Sequence, residues 1–193
     1  MTDLQFNIIR KLFWVVSILI FGALLVFLAL EDRVPSGIRT IVHENEWSSG
    51  IEGWGPAHRI TSLSNNQVQI NIDPVYLRVF LPRKFQDVDI VLWYKDPSKK
   101  IDRMGAQLIN GRYDNWQFNL TEFSDLESIG GWQKSYVSLS LENADFTDRA
   151  YRFILSAPGL DKQSQKLEIK KIQLTFYREP LSWSKIKKIL HLN

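Results

Sequence analysis

The chain contains no cysteine among its 193 residues, which excludes a disulfide framework, a cysteine zinc site and a cysteine nucleophile. Histidine is also rare, and His43, His58 and His191 lack the spacing of a metal-binding pair. Neither a Gly-x-Ser-x-Gly motif nor a phosphate-binding loop occurs. Asp87 and Asp89 share one face of a predicted strand, but adjacent acids on a surface strand are usually only solvated. We therefore predict no catalytic residue, no metal and no cofactor, and expect that the protein is not an enzyme.

A large excess of positive charge is also missing from the central part of the chain. The whole sequence has 24 basic against 21 acidic side chains, a formal net charge of +3. Residues 31–177 hold 18 of the basic and 19 of the acidic residues, so the excess lies at the two ends. Because a nucleic-acid-binding protein usually collects Lys and Arg on its folded domain, we predict no nucleic-acid partner.

One long run without charge stands near the N-terminus, at residues 13–30. At about 1.5 Å per residue a helix of this length reaches about 27 Å, close to the hydrocarbon thickness of a bilayer. Arg10 and Lys11 precede the run and Glu31 follows it, so the positive-inside rule places residues 1–12 in the cytoplasm. A cleaved signal peptide is the alternative, but its apolar core is usually shorter. The sequence thus predicts a single-pass transmembrane anchor in the cell membrane, with the main domain extracytoplasmic.

Two further segments flank the main domain. Residues 31–45 include Pro35, Ser36 and Gly37 and are predicted to form a stalk. In residues 178–193 apolar residues recur at intervals of three and four with lysines between them, a pattern typical of a short amphipathic helix. The side chains expected at the membrane surface are Trp183, Lys185, Lys187 and Lys188. The alternative is that this helix packs on the main domain or on a partner.

Alternation of apolar and polar residues dominates residues 46–177 and predicts β-strands. Turn-forming residues separate the strands, and no amphipathic helix of core length lies between them. We therefore predict an all-β fold, an antiparallel β-sandwich of the jelly-roll type, and expect each apolar set to face its core. The sets are Val68, Ile70 and Ile72; Leu77, Val79 and Leu81; Val88, Ile90 and Leu92; Trp116, Phe118 and Leu120; Val137, Leu139 and Leu141; and Tyr151, Phe153 and Leu155.

The last predicted strand, residues 167–176, contains a break in this alternation. Its apolar residues occupy odd positions before the pair Lys170-Lys171 and even positions after it. A regular strand cannot bury both sets on one face, whereas one extra residue at the lysine pair reconciles them. The sequence therefore predicts a β-bulge at Lys170-Lys171.

Several short motifs resemble those of carbohydrate-binding modules of the galactose-binding-like jelly-roll superfamily, over about residues 42–177. The motifs are Leu167-x-Ile169-x-x-Ile172-x-Leu174, Gly131-Trp132 leading into Val137-x-Leu139, and an opening stretch with Glu44 and Trp54. The resemblance implies a β-sandwich that binds a glycan by aromatic stacking and performs no chemistry. The family often has an aspartate at the position of Lys170 that helps to hold a structural calcium. Because an ammonium group opposes cation binding, we expect no calcium at this position.

Polar and aromatic side chains opposite the apolar sets are the candidate ligand-binding groups. Trp93, Tyr76 and Arg78 all lie on the outer side of their strands by parity. An outward ring beside charged groups suits a sugar, whose C–H face stacks while its hydroxyls form hydrogen bonds. The alternative is that this surface is covered by the C-terminal segment, another subunit or the membrane.

The turn at residues 110–116 provides further candidates, because loops on a rigid scaffold often carry binding residues. Its candidate ligand-binding residues are Arg112, Tyr113 and Asp114. An ordinary hairpin turn, which favours Asn-Gly and Asp, is the alternative interpretation of the same residues.

These features together predict a membrane-anchored extracytoplasmic β-sandwich that binds carbohydrate or a cell-envelope polymer without catalysis. The alternative is an interaction or assembly subunit of a membrane-associated complex, whose exposed aromatics contact a membrane protein. The expected partners are accordingly the lipid bilayer, a glycan or envelope polymer, and a membrane protein. A glycan site should be a groove with one or two rings flanked by polar groups, whereas a protein interface should be broad and apolar.

Overall fold

The computed structural model describes most of the chain and separates it into two compact units. The described residues are 3–30, 37–44, 50–64, 67–96, 101–109, 117–160 and 166–179. One unit includes the N-terminal helix, and the other spans Gly37–Glu179. The candidate functional residues that the structure describes all belong to the second unit.

Helix α1 spans Asp3–Leu30. Its side chains are described for residues 9–25, and most of the large apolar ones are exposed. Within this described part of the chain, no helix is both long and apolar enough to cross a membrane. The predicted anchor at 13–30 is therefore not confirmed.

The second unit is built from β-strands, with one short 3-10 helix at Ala57–Arg59. The strands are β1 (Ile38–His43), β2 (Ile51–Gly55), β3 (Ile60–Ser62), β4 (Val68–Ile70), β5 (Val75–Phe80), β6 (Asp87–Lys95), β7 (Arg103–Gln107), β8 (Phe118–Glu122), β9 (Ser124–Ile129), β10 (Trp132–Ser140), β11 (Ala150–Ser156) and β12 (Leu167–Tyr177). Their alternating burial follows the alternating apolar pattern of the sequence.

The strands form two antiparallel sheets, which confirms the predicted β-sandwich. Sheet A has the order β3-β4-β12-β6-β10-β9, and β1 also pairs with β12. Sheet B has the order β2-β5-β11-β7-β8. Strand β12 is central to sheet A, because it pairs with β6 on one side and with both β4 and β1 on the other. The two ends of the unit meet where the Arg178 backbone N–H donates to the Gly37 carbonyl at 2.7 Å.

Aromatic rings fill the space between the two sheets. Tyr151, Phe153 and Phe176 are each fully buried, and each pair of their ring centroids is 6.3 Å apart. Leu77 and Val79 of β5 are also fully buried, while the residues between them reach the outer surface. A single apolar cluster therefore supports the unit, and a domain of this size needs no disulfide to complete it.

The predicted bulge in β12 is confirmed. The pairing of β12 with β6 shifts between Ile169 and Lys171, so Lys170 is the extra residue. Ile169 and Ile172 are both buried, while Lys170 and Lys171 are both partly exposed. The bulge thus keeps the two apolar halves of the strand in the core and places two consecutive lysines on the outer side.

The predicted stalk at residues 31–45 is wrong where the structure describes it. Residues 38–43 form β1, which pairs with the second half of β12. Ile41 and His43 are buried against the core, so the sandwich begins near Gly37 rather than at residue 46. The turn-forming residues just before β1 led to the prediction of a stalk. The strand was not predicted because it is short and its pairing partner, β12, is distant in the sequence.

Two residues expected in the core are exposed instead. Leu120 is 43% exposed because β8 is the edge strand of sheet B and turns this side of the strand outward. Ile72 is 38% exposed because β4 ends at Ile70. Trp116, which was expected to accompany Leu120 in the core, lies outside the described residues.

Candidate functional site

The outer face of sheet B presents the polar residues of β5. Tyr76 and Arg78 alternate with Val75, Leu77 and Val79, which are at most 1% exposed. Because successive side chains of a strand point to opposite faces, burial of the apolar set directs Tyr76 and Arg78 to the surface. The structure therefore brings these two predicted ligand-binding residues together on one face.

The neighbouring strands add polar groups beside Arg78. Arg152 of β11 lies directly opposite Arg78 in the strand register, and its guanidinium donates to Gln107 Oε1 at 3.4 Å. Like charges placed opposite each other repel, and nearby carboxylates offset this repulsion. The Arg78 guanidinium forms ion pairs with Glu52 at 3.3 Å and Asp148 at 3.5 Å. Alternating donors and acceptors therefore cover this part of the face.

Two adjoining cavities open on this face, and Arg78 and Arg152 line both. One cavity has a volume of about 250 Å³ and the other of about 310 Å³. We name the two cavities together the sheet B groove. The lining side chains used below are Glu52, Tyr76, Arg78, Gln107, Asp145, Asp148 and Arg152.

One lining residue of the groove, Tyr76, is stacked on a second aromatic ring. Tyr76 of β5 and Phe118 of β8 are stacked, with ring centroids 6.1 Å apart and planes inclined at 30°. Strands β11 and β7 separate β5 from β8, so a flat sheet would hold these strands about 14 Å apart. The rings reach toward each other across the two intervening strands. This gives the face an aromatic surface beside its charged groups.

Trp93 lies on the other outer face of the sandwich, that of sheet A. Its ring has the Lys134 ammonium 5.5 Å and the Lys171 ammonium 4.9 Å from its centroid. Both lysines are ion-paired, Lys134 with Glu127 at 2.8 Å and Lys171 with Glu44 at 2.7 Å. Trp93 is therefore remote from Tyr76 and Arg78, and the predicted residues fall on two separate surfaces.

A second ring on sheet A also attracts cations. The Lys95 ammonium is 4.4 Å and the Lys170 ammonium 5.7 Å from the centroid of the Trp132 ring. We name this surface the Trp–Lys face. Its members are Trp93, Lys95, Trp132, Lys134, Lys170 and Lys171.

The acidic pair Asp87 and Asp89 lies beyond the Trp–Lys face on β6. The Tyr136 hydroxyl donates to Asp89 Oδ1 at 2.7 Å. Hydrogen bonding to this carboxylate raises the pKa of both Tyr136 and Tyr177 above the ordinary value. A neutral phenol can donate to the carboxylate, whereas a phenolate cannot donate and would be repelled by the negative charge. Asp89 thus accepts a hydrogen bond from Tyr136 and influences the titration of both phenols.

The remaining predicted site residues fall outside the described part of the chain. These are Arg112, Tyr113 and Asp114 of the turn between β7 and β8, and Trp183, Lys185, Lys187 and Lys188 of the C-terminal segment. In the described residues, no three His, Asp or Glu side chains lie close enough together to hold a metal ion. Lys170, at the position where the resembling family often has its calcium-binding aspartate, directs its ammonium to Trp132 instead.

Sequence reasoning missed five residues that line the sheet B groove, and it also missed the ring partner of Tyr76, Phe118; the five are Glu52, Gln107, Asp145, Asp148 and Arg152. Arg152 stands between Tyr151 and Phe153, so strand parity alone places it on the outer face. Phe118 was assigned to the wrong face, and Gln107 lies in a strand without clear alternation. Only the strand register reveals that Arg152 lies opposite Arg78.

No protein-family model and no curated protein matches this chain. Similar solved structures are carbohydrate-binding modules. The CBM6 module of the laminarinase LamC from Zobellia galactanivorans has 14% identity over 71% of this chain and 99% of that chain, with a TM-score of 0.36. The CBM35 module of Abf62 from Cellvibrio japonicus has 12% identity over 74% and 100%, with a TM-score of 0.41. A xylan-binding CBM15 module has 16% identity over 73% and 99%, also with a TM-score of 0.41.

Other similar structures belong to enzymes, including a carbohydrate esterase from Cellvibrio japonicus. The similarity to all of these proteins concerns the β-sandwich fold alone. A ligand for this chain therefore has to be inferred from its own side chains.

Proposed function

We propose that the protein binds a neutral carbohydrate in the sheet B groove and performs no reaction on it. The observation that supports this proposal is the placement of the Tyr76 ring, which is stacked on Phe118, in a groove that arginines and carboxylates also line. Cavities of about 250 and 310 Å³ offer room for one or two sugar units rather than for a long buried ligand.

The charged groups of the groove complement sugar hydroxyls. A guanidinium only donates hydrogen bonds and a carboxylate only accepts them, whereas each hydroxyl does both. The Arg78–Glu52 and Arg78–Asp148 pairs, at 3.3 and 3.5 Å, offer a donor and an acceptor side by side. Two neighbouring hydroxyls of a sugar ring match this arrangement, while the apolar face of the ring packs on Tyr76.

A neutral sugar fits the groove better than an acidic one. Two arginines line it, but three carboxylates, those of Glu52, Asp145 and Asp148, line it as well. A carboxylate or phosphate on the ligand would be repelled by these acids. Arg78 would offset this repulsion little, because it already forms two ion pairs.

The test is affinity electrophoresis of the full-length protein through gels that contain mannan, xylan or β-glucan. We expect retardation by at least one polysaccharide, and about tenfold weaker binding for Tyr76→Ala, since loss of a ring contact costs about 1.4 kcal/mol. Replacement of Arg152 by Met should weaken binding through lost donors. Far-UV circular dichroism verifies that each variant is folded.

The matched control is Trp93→Ala, which removes a ring of similar exposure from the opposite outer face. We expect this variant to migrate like the wild type in every gel. If no neutral polysaccharide retards the wild type, or if Trp93→Ala weakens binding as much as Tyr76→Ala, the groove is not the carbohydrate site.

We further propose that the protein resides at the cell membrane, with its N-terminus in the cytoplasm and the sandwich outside. The support is the uncharged run at 13–30 with Arg10 and Lys11 before it. Membrane fractionation with alkaline carbonate washing tests this, and release of the protein into the wash would contradict it. Protease added to intact spheroplasts should digest residues 37–179 if the orientation is as proposed.

A second candidate function is assembly with a membrane protein partner. It is favoured by the exposed apolar side chains around α1, such as Leu12, Ile18 and Phe21, each more than 60% exposed. Chemical crosslinking in membranes, compared between the full chain and a chain in which residues 13–30 are replaced by an unrelated anchor, distinguishes a specific partner from simple lipid contact.

A further inference from the structure

Trp132 on the Trp–Lys face has two ammonium groups beside its ring. Lys95 approaches from the neighbouring strand β6 and Lys170 from β12, at 4.4 and 5.7 Å from one centroid. Cation–π contacts at an exposed site are weak, and two cations near one ring repel each other. The arrangement therefore gathers positive charge at one place on the surface.

The bulge in β12 creates this arrangement. A regular strand would alternate its side chains, so only one of two consecutive lysines would reach the outer face. The extra residue at Lys170 places both lysines outside, Lys171 beside Trp93 and Lys170 beside Trp132. Bulges often re-aim side chains near functional sites.

The two ring clusters differ in how their lysines are neutralised. Beside Trp93, Lys134 and Lys171 each have a glutamate partner within 2.8 Å. Beside Trp132, neither Lys95 nor Lys170 has an ion pair with any described residue, although Glu168 lies opposite Lys95 in the register. Within the described part of the chain, the positive charge at Trp132 is thus the part of the Trp–Lys face that no carboxylate pairs.

We propose that Trp132, Lys95 and Lys170 form a second binding site, separate from the sheet B groove, for the phosphate group of a phosphorylated glycan. Two ammonium groups bind a phosphate as point charges, without the planar fork that arginine offers to a carboxylate. The Trp132 ring provides a stacking surface for the sugar that carries the phosphate.

A glycan polymer fits this face better than an anionic bilayer. Asp87 and Asp89 lie at the other end of the same strand, β6, and turn to the same outer side. A flat anionic surface laid against the face would meet these carboxylates together with the lysines. A polymer chain a few ångströms wide contacts the lysine end alone, so it avoids the repulsion.

The test uses full-length protein captured by a terminal tag on a sensor surface and washed free of detergent. Yeast phosphomannan, neutral mannan, phosphatidylglycerol vesicles and phosphatidylcholine vesicles are passed over it at low salt. The test variant is Lys95→Met/Lys170→Met, and the matched control is Lys134→Met/Lys171→Met. Each variant removes the same charge, and Met retains most of the apolar stem.

We expect the wild type to bind phosphomannan more tightly than mannan. Binding should become about three- to tenfold weaker in Lys95→Met/Lys170→Met, as two solvent-screened charge contacts imply, and should fall with added salt. The control variant should retain most of the binding, because its lysines are already neutralised by glutamates.

Three results would overturn the proposal. The first is wild-type binding to phosphomannan no tighter than to mannan. The second is an equal loss in both double variants, which indicates attraction by net charge alone. The third is binding of phosphatidylglycerol vesicles that depends on Lys95 and Lys170 without binding of phosphomannan, which indicates a lipid surface. Retention by neutral mannan is unaffected by any of these outcomes and reports on the sheet B groove separately.

Discussion

Replacing Tyr151 by Phe tests how the sandwich holds the segment that follows β5. The Tyr151 hydroxyl donates to the Phe85 carbonyl and accepts from the Phe85 backbone N–H, both at 3.0 Å. Tyr151 and Phe85 are at most 1% exposed, so water cannot replace the hydroxyl without local opening. The variant Tyr151→Phe removes one oxygen atom and leaves both backbone groups of Phe85 without this partner.

The size of the effect follows from these two hydrogen bonds. Each buried donor or acceptor left unpaired costs about 1–3 kcal/mol, so the loss of both partners should lower the free energy of unfolding by about 2–6 kcal/mol. This is a large part of the 5–15 kcal/mol that stabilises a typical domain. The ring itself is retained, so no large cavity adds to the cost.

The pH dependence of stability gives an independent test of this burial. Burial raises the pKa of Tyr151 to about 12 from its ordinary 10.0, although the hydrogen bond from Phe85 opposes the rise. Because the folded pKa lies above the unfolded one, the stabilisation is complete below pH 10 and is lost as pH rises toward 12. A shift of about two units corresponds to about 2.7 kcal/mol of stability that is lost between pH 10 and pH 12.

The assay is urea denaturation of the full-length wild type and Tyr151→Phe in a mild detergent, followed by tryptophan fluorescence between pH 8 and 11.5. The difference in unfolding free energy should be constant up to about pH 10 and then shrink, because only the wild type has this phenol to ionise. Effects of other titrating groups cancel in the difference. A difference below about 1 kcal/mol at pH 8, or one that stays constant up to pH 11.5, refutes the reasoning.

Two further predictions concern β12 and Asp89. Deletion of Lys170 should change the melting temperature only slightly, because it restores regular alternation with both apolar halves still facing the core. Deletion of Gln173 should prevent cooperative thermal unfolding, because it reverses the alternation on one side of the deletion. Either Ile172 and the residues before it, or Leu174 and Phe176 after it, then turn outward at about 1.5–3 kcal/mol for each buried side chain. Equal melting temperatures for the two deletions would contradict the bulge assignment. Asp89→Asn should lower the pKa of Tyr136 and Tyr177 toward the ordinary value, because it removes a negative charge beside both phenols. Ultraviolet titration of tyrosinate absorbance measures this, and an unchanged titration curve would contradict it.

Clean alternation made the long strands of the sandwich predictable. Strands β5, β6 and β11 each bury every second residue, and the bulge was predicted from a change of this alternation within β12. Short or mixed strands escaped detection for physical reasons. The strand β7, Arg103–Gln107, contains Gly105 and buries four successive residues, so it shows no period of two.

The candidate sites were predictable only in part. Parity placed Tyr76, Arg78 and Trp93 on outer surfaces, but parity does not reveal which sheet a strand joins. The two sheets have opposite outer faces, so Trp93 and Tyr76 cannot share one ligand of a few sugar units. Phe118 was misplaced because an edge strand exposes apolar residues that a central strand would bury.

The position of β12 has a consequence for how the protein is made. β12 joins β1, β4 and β6 into one sheet, yet it is the last of the described strands to leave the ribosome, and its pairing with β1 links residues about 135 positions apart, as between Thr40 and Thr175. Until it emerges, three strand edges remain unpaired and open to association with other chains. Synthesis that stops before Leu167 therefore yields an aggregation-prone fragment, and a chaperone that covers these edges has to act before the final strand closes the sheet.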